Sequence, residues 1–462
     1  MAGRDACPTR KKENYTQIEM LEKFKNIFKI PDLKRRILFT LLVFVIYRIG
    51  GHVPVPGINA SALGEFLEQS QNTLFGLYDM FAGGNFGRAT VFALGIMPYI
   101  SASIILQLMG TVVPALQKLQ QEGEEGRKKI TQWTRYLTVA ISTMQAFGVS
   151  IFLIQIGSTQ TGLPVVPSPG LGFTLNTVIT LVAGTVFIMW LGEQITDKGI
   201  GNGISLIIFI GIIDRLPYAF LDEFQMLRQG LRQPLTELFL LALMFLTIAS
   251  VVALTQGQRK ISVQYAKRVV GRKVYGGQST HIPLRVNTAG VMPIIFAQTI
   301  MFLPTTLATF LPDGGVKDWM NSAFSFTSYL YMAIYLLIIV FFTYFYTAVA
   351  FNPVDVANNL KKHGGLIPSV KPGKRTAEYL DNILSRITLP GAIFLGLIAI
   401  FPSFLTKQIN VSFNFASFFG GTGLLIIVGV SLDTLQQIES HLLMRHYDGL
   451  MKSGKIRGRR RA

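Results

Sequence analysis

Apolar residues of this 462-residue chain come in long blocks separated by short polar stretches. Ten blocks read as candidate spans, near 37–55, 90–114, 136–156, 174–192, 203–221, 235–255, 289–311, 329–350, 387–406 and 415–432. Most reach the roughly 20 residues that a helix needs to cross about 30 Å of hydrocarbon. The pattern predicts an all-α polytopic membrane protein of ten transmembrane helices. Two blocks are irregular: the first carries Arg48 near its end, and the fifth meets Asp214 and Arg215 after a short apolar run. Between the first two lies Thr73–Arg88, with Leu74, Phe75, Leu77, Tyr78, Met80 and Phe81 ahead of the pair Gly83 and Gly84. That stretch is too short to span. It reads either as a re-entrant helix packed inside protein or as an interfacial loop helix.

Two of the blocks echo each other at a distance of 195 positions. Gly95-Ile96-Met97-Pro98-Tyr99-Ile100 matches Gly290-Val291-Met292-Pro293-Ile294-Ile295. Glycine and proline together let a membrane helix start or bend inside the bilayer, provided the freed backbone groups face protein or water. One such break in each half of a polytopic chain points to a central pathway. Ten spans divide into five and five, and an odd number per half makes the second half enter with opposite orientation. The duplication therefore reads as inverted, with halves at 37–222 and 223–440. A fainter echo relates Gly201-Asn202-Gly203-Ile204 to Gly421-Thr422-Gly423-Leu424; shared descent and two independent packing contacts explain it equally. Beside the breaks lie Ile96, Ile100, Ile204, Ile208, Ile295 and Ile426. Each taken singly is an ordinary core or lipid-facing residue. Together they suit a hydrophobic constriction, which blocks ions by dewetting and yields to a larger object.

Composition narrows the class. Half of the residues are hydrophobic, mean hydropathy is +0.42 and 15% are charged, which excludes an ordinary soluble globule. The net charge of +18 is unevenly spread. With the N-terminus inside, the inside segments hold 36 of the 43 Lys and Arg. Only Arg48, Arg88, Arg215, Arg228, Arg232, Lys317 and Lys407 fall elsewhere. The positive-inside rule then puts both termini in the cytoplasm, including the basic tail 441–462. Residues 1–36 are basic and amphipathic, with Ile18, Leu21, Phe24, Ile27 and Phe28 on one side. They predict a surface-lying helix broken at Pro31 rather than a cleavable signal. Cys7 is the single cysteine, which excludes an intramolecular disulfide and argues against a metal cluster.

Span centres hold no ionisable residue, and Glu193, Asp214, Arg215 and Asp433 sit at span ends. That weighs against an ion-coupled carrier and against a charge-lined ion channel. No P-loop, GxGxxG, HExxH or Ser/His/Asp order is present, so no catalytic residue, cofactor or metal is expected and the chain reads as no enzyme. Any energy source must come from a partner.

The inside loops 257–288 and 352–386 are longer than connectors need to be. The first reads as a hairpin of Ile261–Tyr265 and Ile282–Val286, with Lys267, Arg268, Arg272 and Lys273 at its tip. The second carries Lys361, Lys362, Lys371, Lys374 and Arg375 beside Pro368, Pro372 and Gly373. These charges serve topology, and their number and reach also suit docking of an acidic partner, ribosomal RNA or an acidic protein.

Several runs together resemble one family. Phe92–Ser103, Gly123–Lys129 (GEEGRKK), Trp190–Thr196, Gly199–Ser205 (GIGNGIS), Tyr275–His281 and Phe351-Asn352-Pro353 follow the order of the SecY family of bacterial protein-conducting channels. The resemblance runs from about Pro31 to Arg457. It implies a clamshell of two five-helix halves around an hourglass pore in the bacterial inner membrane. The six isoleucines would form its waist ring. A plug would correspond to 73–88, with Phe75, Leu77, Tyr78, Met80, Phe81, Gly83 and Gly84. A lateral gate, through which signal peptides and nascent chains reach lipid, would lie between the second span, with Gln107, and the third on one side and the seventh and eighth on the other. The two basic loops would dock the ribosome and the SecA motor ATPase, and small SecE and SecG subunits would accompany the chain. One run departs: where the family has Pro-Gly-[Ile/Val]-Arg-Pro-Gly, this chain has Pro368-Ser369-Val370-Lys371-Pro372-Gly373. Lysine keeps the charge of arginine and loses its planar bidentate fork. Two other readings remain at this point: a secondary transporter with inverted repeats, and an anchor that only recruits ribosomes.

Overall fold

The computed structural model describes residues 30–69, 79, 82–156, 164–230, 233–265, 268–270, 273–275, 279–310, 314–409, 411, 415, 416, 418 and 420–453. The helices are α1 (Pro31–Gly50), α2 (Ala60–Gln69), α3 (Met97–Val112), α4 (Pro114–Gln121), α5 (Glu124–Ile156), α6 (Leu171–Lys198), α7 (Gly203–Ile213) and α8 (Leu216–Arg228). They continue with α9 (Pro234–Gln256), α10 (Met292–Phe310), α11 (Gly315–Ala323), α12 (Tyr329–Ala350), α13 (Pro353–Lys362), α14 (Lys374–Ile409) and α15 (Gly421–Ser453). Strands β1 (Gln258–Tyr265), β2 (Arg268–Val270), β3 (Lys273–Tyr275) and β4 (Ser279–Arg285) lie between α9 and α10; β5 (Gly365–Leu366) follows α13.

Each of the ten expected spans falls on a helix. Among the described residues seven are long and apolar enough to cross a membrane: α5, α6, α7 with α8, α9, α12 with α13, α14 and α15. The other three are irregular for visible reasons. Helix α1 carries Asp32, Lys34, Arg35, Arg36 and Arg48; α3 gives way to α4 at Pro114 with a bend of 103°; and α10 contains Pro304. Some boundaries move. The first span begins at Pro31, not 37, and ends at Gly50, because proline at a first helical turn lacks only an N–H that has no acceptor there. Pro31 thus starts a helix where the sequence suggested a break. The tenth starts at Gly421 rather than 415. The surface helix expected at 18–30 lies almost wholly outside the described residues.

Small residues pull the helices together. In lipid no hydrophobic drive separates one apolar face from another, so close packing of small side chains decides which faces meet. Helix α5 buries Thr134, Thr138, Ser142, Ala146 and Ser150, one small residue per turn, and turns Trp133, Tyr136, Met144 and Phe147 outward. Helices α3 and α6 pack on this helix. The buried hydroxyls are satisfied locally: Thr138 Oγ1 donates to Thr134 O at 2.7 Å and Ser150 Oγ to Phe147 O at 2.8 Å. Gly192 of α6 meets Gly203 at the start of α7 so closely that a Cβ on Gly203 would lie 2.8 Å from the Gly192 carbonyl carbon.

The two long loops form one body. Strand β1 pairs antiparallel with β4, with Ile261 opposite Ile282, and its far end pairs with β5, Tyr265 opposite Gly365. Ile261, Val263, Leu284, Leu360, Ile367, Leu380 and Ile383 fill a separate small core beneath the sheet. The outer hairpin matches the expected strands to within a few residues. Strand β5 has two residues and no period to read, so the joining of the loops is a finding of the structure.

Candidate functional site

Gly95 and Gly290 both occupy the left-handed region, at φ 57° and 64°, and each sits just before a helix that opens Met-Pro. Only glycine takes this conformation freely, and proline then needs no acceptor in the first turn. The weaker echo behaves alike, with Gly201 at φ 84° and Gly421 at 68°. At the former, Asn202 caps α7, its Oδ1 accepting from the N–H groups of Ile204 at 3.1 Å and Ser205 at 3.3 Å. Helices α3, α7, α10 and α15 thus start from a positive-φ glycine, as do α5 after Gly123 and α14 after Gly373.

The isoleucines beside these starts come together. Ile96, Ile100, Ile208, Ile295 and Ile426 are buried in one apolar cluster, and Ile204 is half-buried against it. The cluster is wider than these six and also takes in Val43, Tyr47, Phe296 and Tyr335. Helix α3 lies against α10, which brings the second and seventh spans into contact. Gln107 is half-buried on α3.

Of the stretch 73–88, Phe75, Leu77, Tyr78, Met80 and Phe81 lie outside the described residues. Gly83 and Gly84 are described, buried, and held against α7 and Arg215. Lys267 and Arg272 lie outside the described residues; Arg268 and Lys273 fall on the small β2–β3 hairpin. In the second loop Lys361, Lys362, Lys371, Lys374 and Arg375 are all exposed.

The charges at span ends are paired. Arg135 of α5 grips Glu193 of α6 with both forks, Nε to Oε1 and Nη2 to Oε2 at 2.8 Å each. Arg48 Nη1 meets Asp214 Oδ2 at 2.5 Å, and Arg215 pairs with Asp79. Asp433 is exposed on α15. Sequence reasoning missed three polar positions. Asp79 and Glu223 are buried carboxylates, the first inside an apolar stretch and the second just past the fifth block. Gln298 is buried on α10; Tyr335 donates to its Oε1 at 2.9 Å, and its Nε2 has no partner among the described residues. A lone glutamine in the run Ile294–Phe302 was the signal for it. No group of His, Cys, Asp or Glu among the described residues is arranged to hold a metal ion.

This architecture has known counterparts. The SecY family model matches residues 90–435. A curated protein translocase subunit SecY from Aquifex aeolicus is 46% identical over 437 residues, covering 94% of this chain and all of the relative. Its counterpart from Thermotoga maritima is 44% identical, over 96% of this chain and all of the relative. The chain belongs to the SecY family. The fold agrees: a solved structure of a protein-conducting channel superposes with a TM-score of 0.61 at 17% identity, covering 88% of this chain and 92% of that one. A Sec61 channel seen in a canine ribosome–channel complex gives 0.58 at 17% identity, over 88% and 92%. The family thus accounts for the mostly helical architecture with its apolar spans.

Proposed function

We propose that this SecY-family channel subunit passes unfolded, signal-bearing polypeptides across the bacterial inner membrane and releases apolar segments sideways into lipid. The channel is passive and catalyses nothing itself. Its energy comes from a SecA-type motor or a translating ribosome docked on the basic loops, SecE- and SecG-type subunits accompany it, and both termini are cytoplasmic. The observation that carries this reading is the convergence of six isoleucines, within or just before the first two turns of four helices that each start at a positive-φ glycine, five within one apolar cluster and Ile204 against it. Branched aliphatics deny ions a hydration shell, yet their staggered side chains yield to a polypeptide. The segment 73–88 serves as plug. The seam of α3, with Gln107, against α10 serves as the lateral gate.

The joined loops support the docking role. One small core carries both, so a partner gripping Lys371, Lys374 or Arg375 pulls on the same body as the hairpin that leads into α10. A transporter would need an ionisable pair at the helix breaks, where this chain has Ile, Met, Tyr and Val. The test is reconstitution of the chain with its small subunits and a motor ATPase in vesicles. A signal-bearing preprotein should become protease-protected in an ATP-dependent way. Failure beside a working channel run in parallel sinks the reading.

A further inference from the structure

Asp79 is a carboxylate only 9% exposed, inside a stretch that is mostly apolar or glycine. Its two oxygens are engaged from opposite sides. Oδ1 accepts from the N–H of Gly87 at 2.8 Å, within its own segment, and Oδ2 accepts from Nη2 of Arg215, across from it. Arg215 stands just beyond α7 and is itself braced. Its neighbour Asp214 pairs with Arg48 at the end of α1, so four charges alternate in sign from α1 to Asp79.

Backbone packing reinforces the ion pair. Gly83 and Gly211 touch main chain to main chain: a Cβ on Gly83 would lie 2.9 Å from Gly211 Cα, and one on Gly211 would lie 3.3 Å from Gly83 Cα. Gly84, at φ 78°, faces the Arg215 guanidinium, which a Cβ there would approach to 3.2 Å. The Tyr47 hydroxyl closes over the junction and accepts from Asn85 Nδ2 at 3.2 Å. Ile204, Ile208, Gly211 and Arg215 follow one another at intervals of four, three and four, which places them along one stripe of the α7 helix and its terminal turn. The turn at 83–84 therefore rests on the continuation of the face that carries two of the six isoleucines.

We propose that Arg215 is the positioning residue that seats Asp79 and the turn 82–88 over the pathway, and that breaking its pair with Asp79 is the step that frees them. This rests on the channel reading above. Removing one partner of a poorly hydrated pair leaves the other charge uncompensated in the seat, whereas removing both leaves a nearly neutral contact. The order of variants follows from that asymmetry and not from lost contact area.

The test uses the full chain with its small subunits, reconstituted at matched protein content in vesicles loaded with a halide-quenched fluorophore. The quantity read is resting iodide influx with no motor present. Arg215→Gln should raise it about tenfold, the factor that 1.4 kcal/mol gives. Arg215→Lys, which keeps the charge, should stay within about twofold of the parent. The double variant Asp79→Asn with Arg215→Gln should leak less than Arg215→Gln alone. Gly211→Leu should leak with every charge intact, because it pushes on Gly83 directly. Parental influx in Arg215→Gln, or a double variant that leaks as much as that single one, overturns the seat. Ile208→Gly, run alongside, separates the two ideas. If it leaks and Arg215→Gln does not, the seat alone is wrong; if neither leaks, the channel reading falls with it.

Discussion

Ser369 holds a backbone conformation that its side chain opposes. It sits at φ 69°, one of two non-glycine residues with positive φ among those described. Pro368 precedes it and the Val370 N–H closes back on Ile367 O at 3.1 Å, which is the bond and sign pattern of a type II turn. Glycine is the natural occupant of that position, and the family run has it there. The strain is tolerated because Ile367 and Val370 are both held on the small loop core. Replacing Ser369 by glycine should relieve about 1 kcal/mol and slow amide exchange at Val370 about fivefold, read by hydrogen exchange on the purified protein. Unchanged exchange would mean that the turn carries no strain. Two positions on, Lys371 is exposed and its carbonyl accepts from Thr376 Oγ1 at 2.9 Å, so the turn fixes the backbone from which its side chain leaves. Lys371→Glu should abolish stimulation of a motor ATPase while vesicles still hold their resting seal. Lys371→Arg should preserve or raise that stimulation, because the fork adds bidentate contact to the same charge.

At the scale of the element, α5 separates two kinds of apolar surface. Its buried stripe is small and its lipid stripe is large, a pattern set by helix spacing and by the closeness that packing in lipid demands. Ala146→Leu adds three carbons to a face with no room and should destabilise the fold by about 1–3 kcal/mol, visible as a lower aggregation temperature in detergent. Phe147→Leu, next to it and half exposed, should leave that temperature unchanged. If the two variants behave alike, small-residue packing is not what fixes this helix. The periodic stripe was legible in the sequence once the helix was known. Its neighbours were not, because small residues every fourth position specify closeness and not a partner. Strand β5 makes the same point: two residues carry no pattern, and only its pairing with β1 gives it a structure.

For the molecule as a whole, the ring prediction follows from dewetting. Replacing Ile96, Ile208 and Ile295 together with glycine should open the resting pathway to ions, with conductance above the parent in planar bilayers. Serine in the same three places should do so to a greater degree, since a hydroxyl wets the constriction. A tight seal in both would assign these residues to ordinary core. The four alternating charges at 48, 214, 215 and 79 belong to this scale too. They link α1, the end of α7 and Asp79 through two ion pairs in series, so the Arg215–Asp79 pair is braced from α1.

The sequence by itself determined the ten helical blocks, their inverted pairing and the glycine–proline starts of two of them. These are local matters: a bilayer sorts apolar runs by length, and glycine or proline acts on its own backbone. Glu193, Asp214 and Arg215 were also visible as charges at span ends. Tertiary structure alone decided their partners. Arg48 meets a residue 166 positions away, and Asp79 one 136 positions away, across stretches that share no period. The same holds for the fusion of two basic loops under one sheet, for the contact of α3 with α10 and for the seat that Gly211 offers Gly83. Charges and glycines announce that a contact is needed, and only the fold, by bringing distant helices within a few ångströms, says with what.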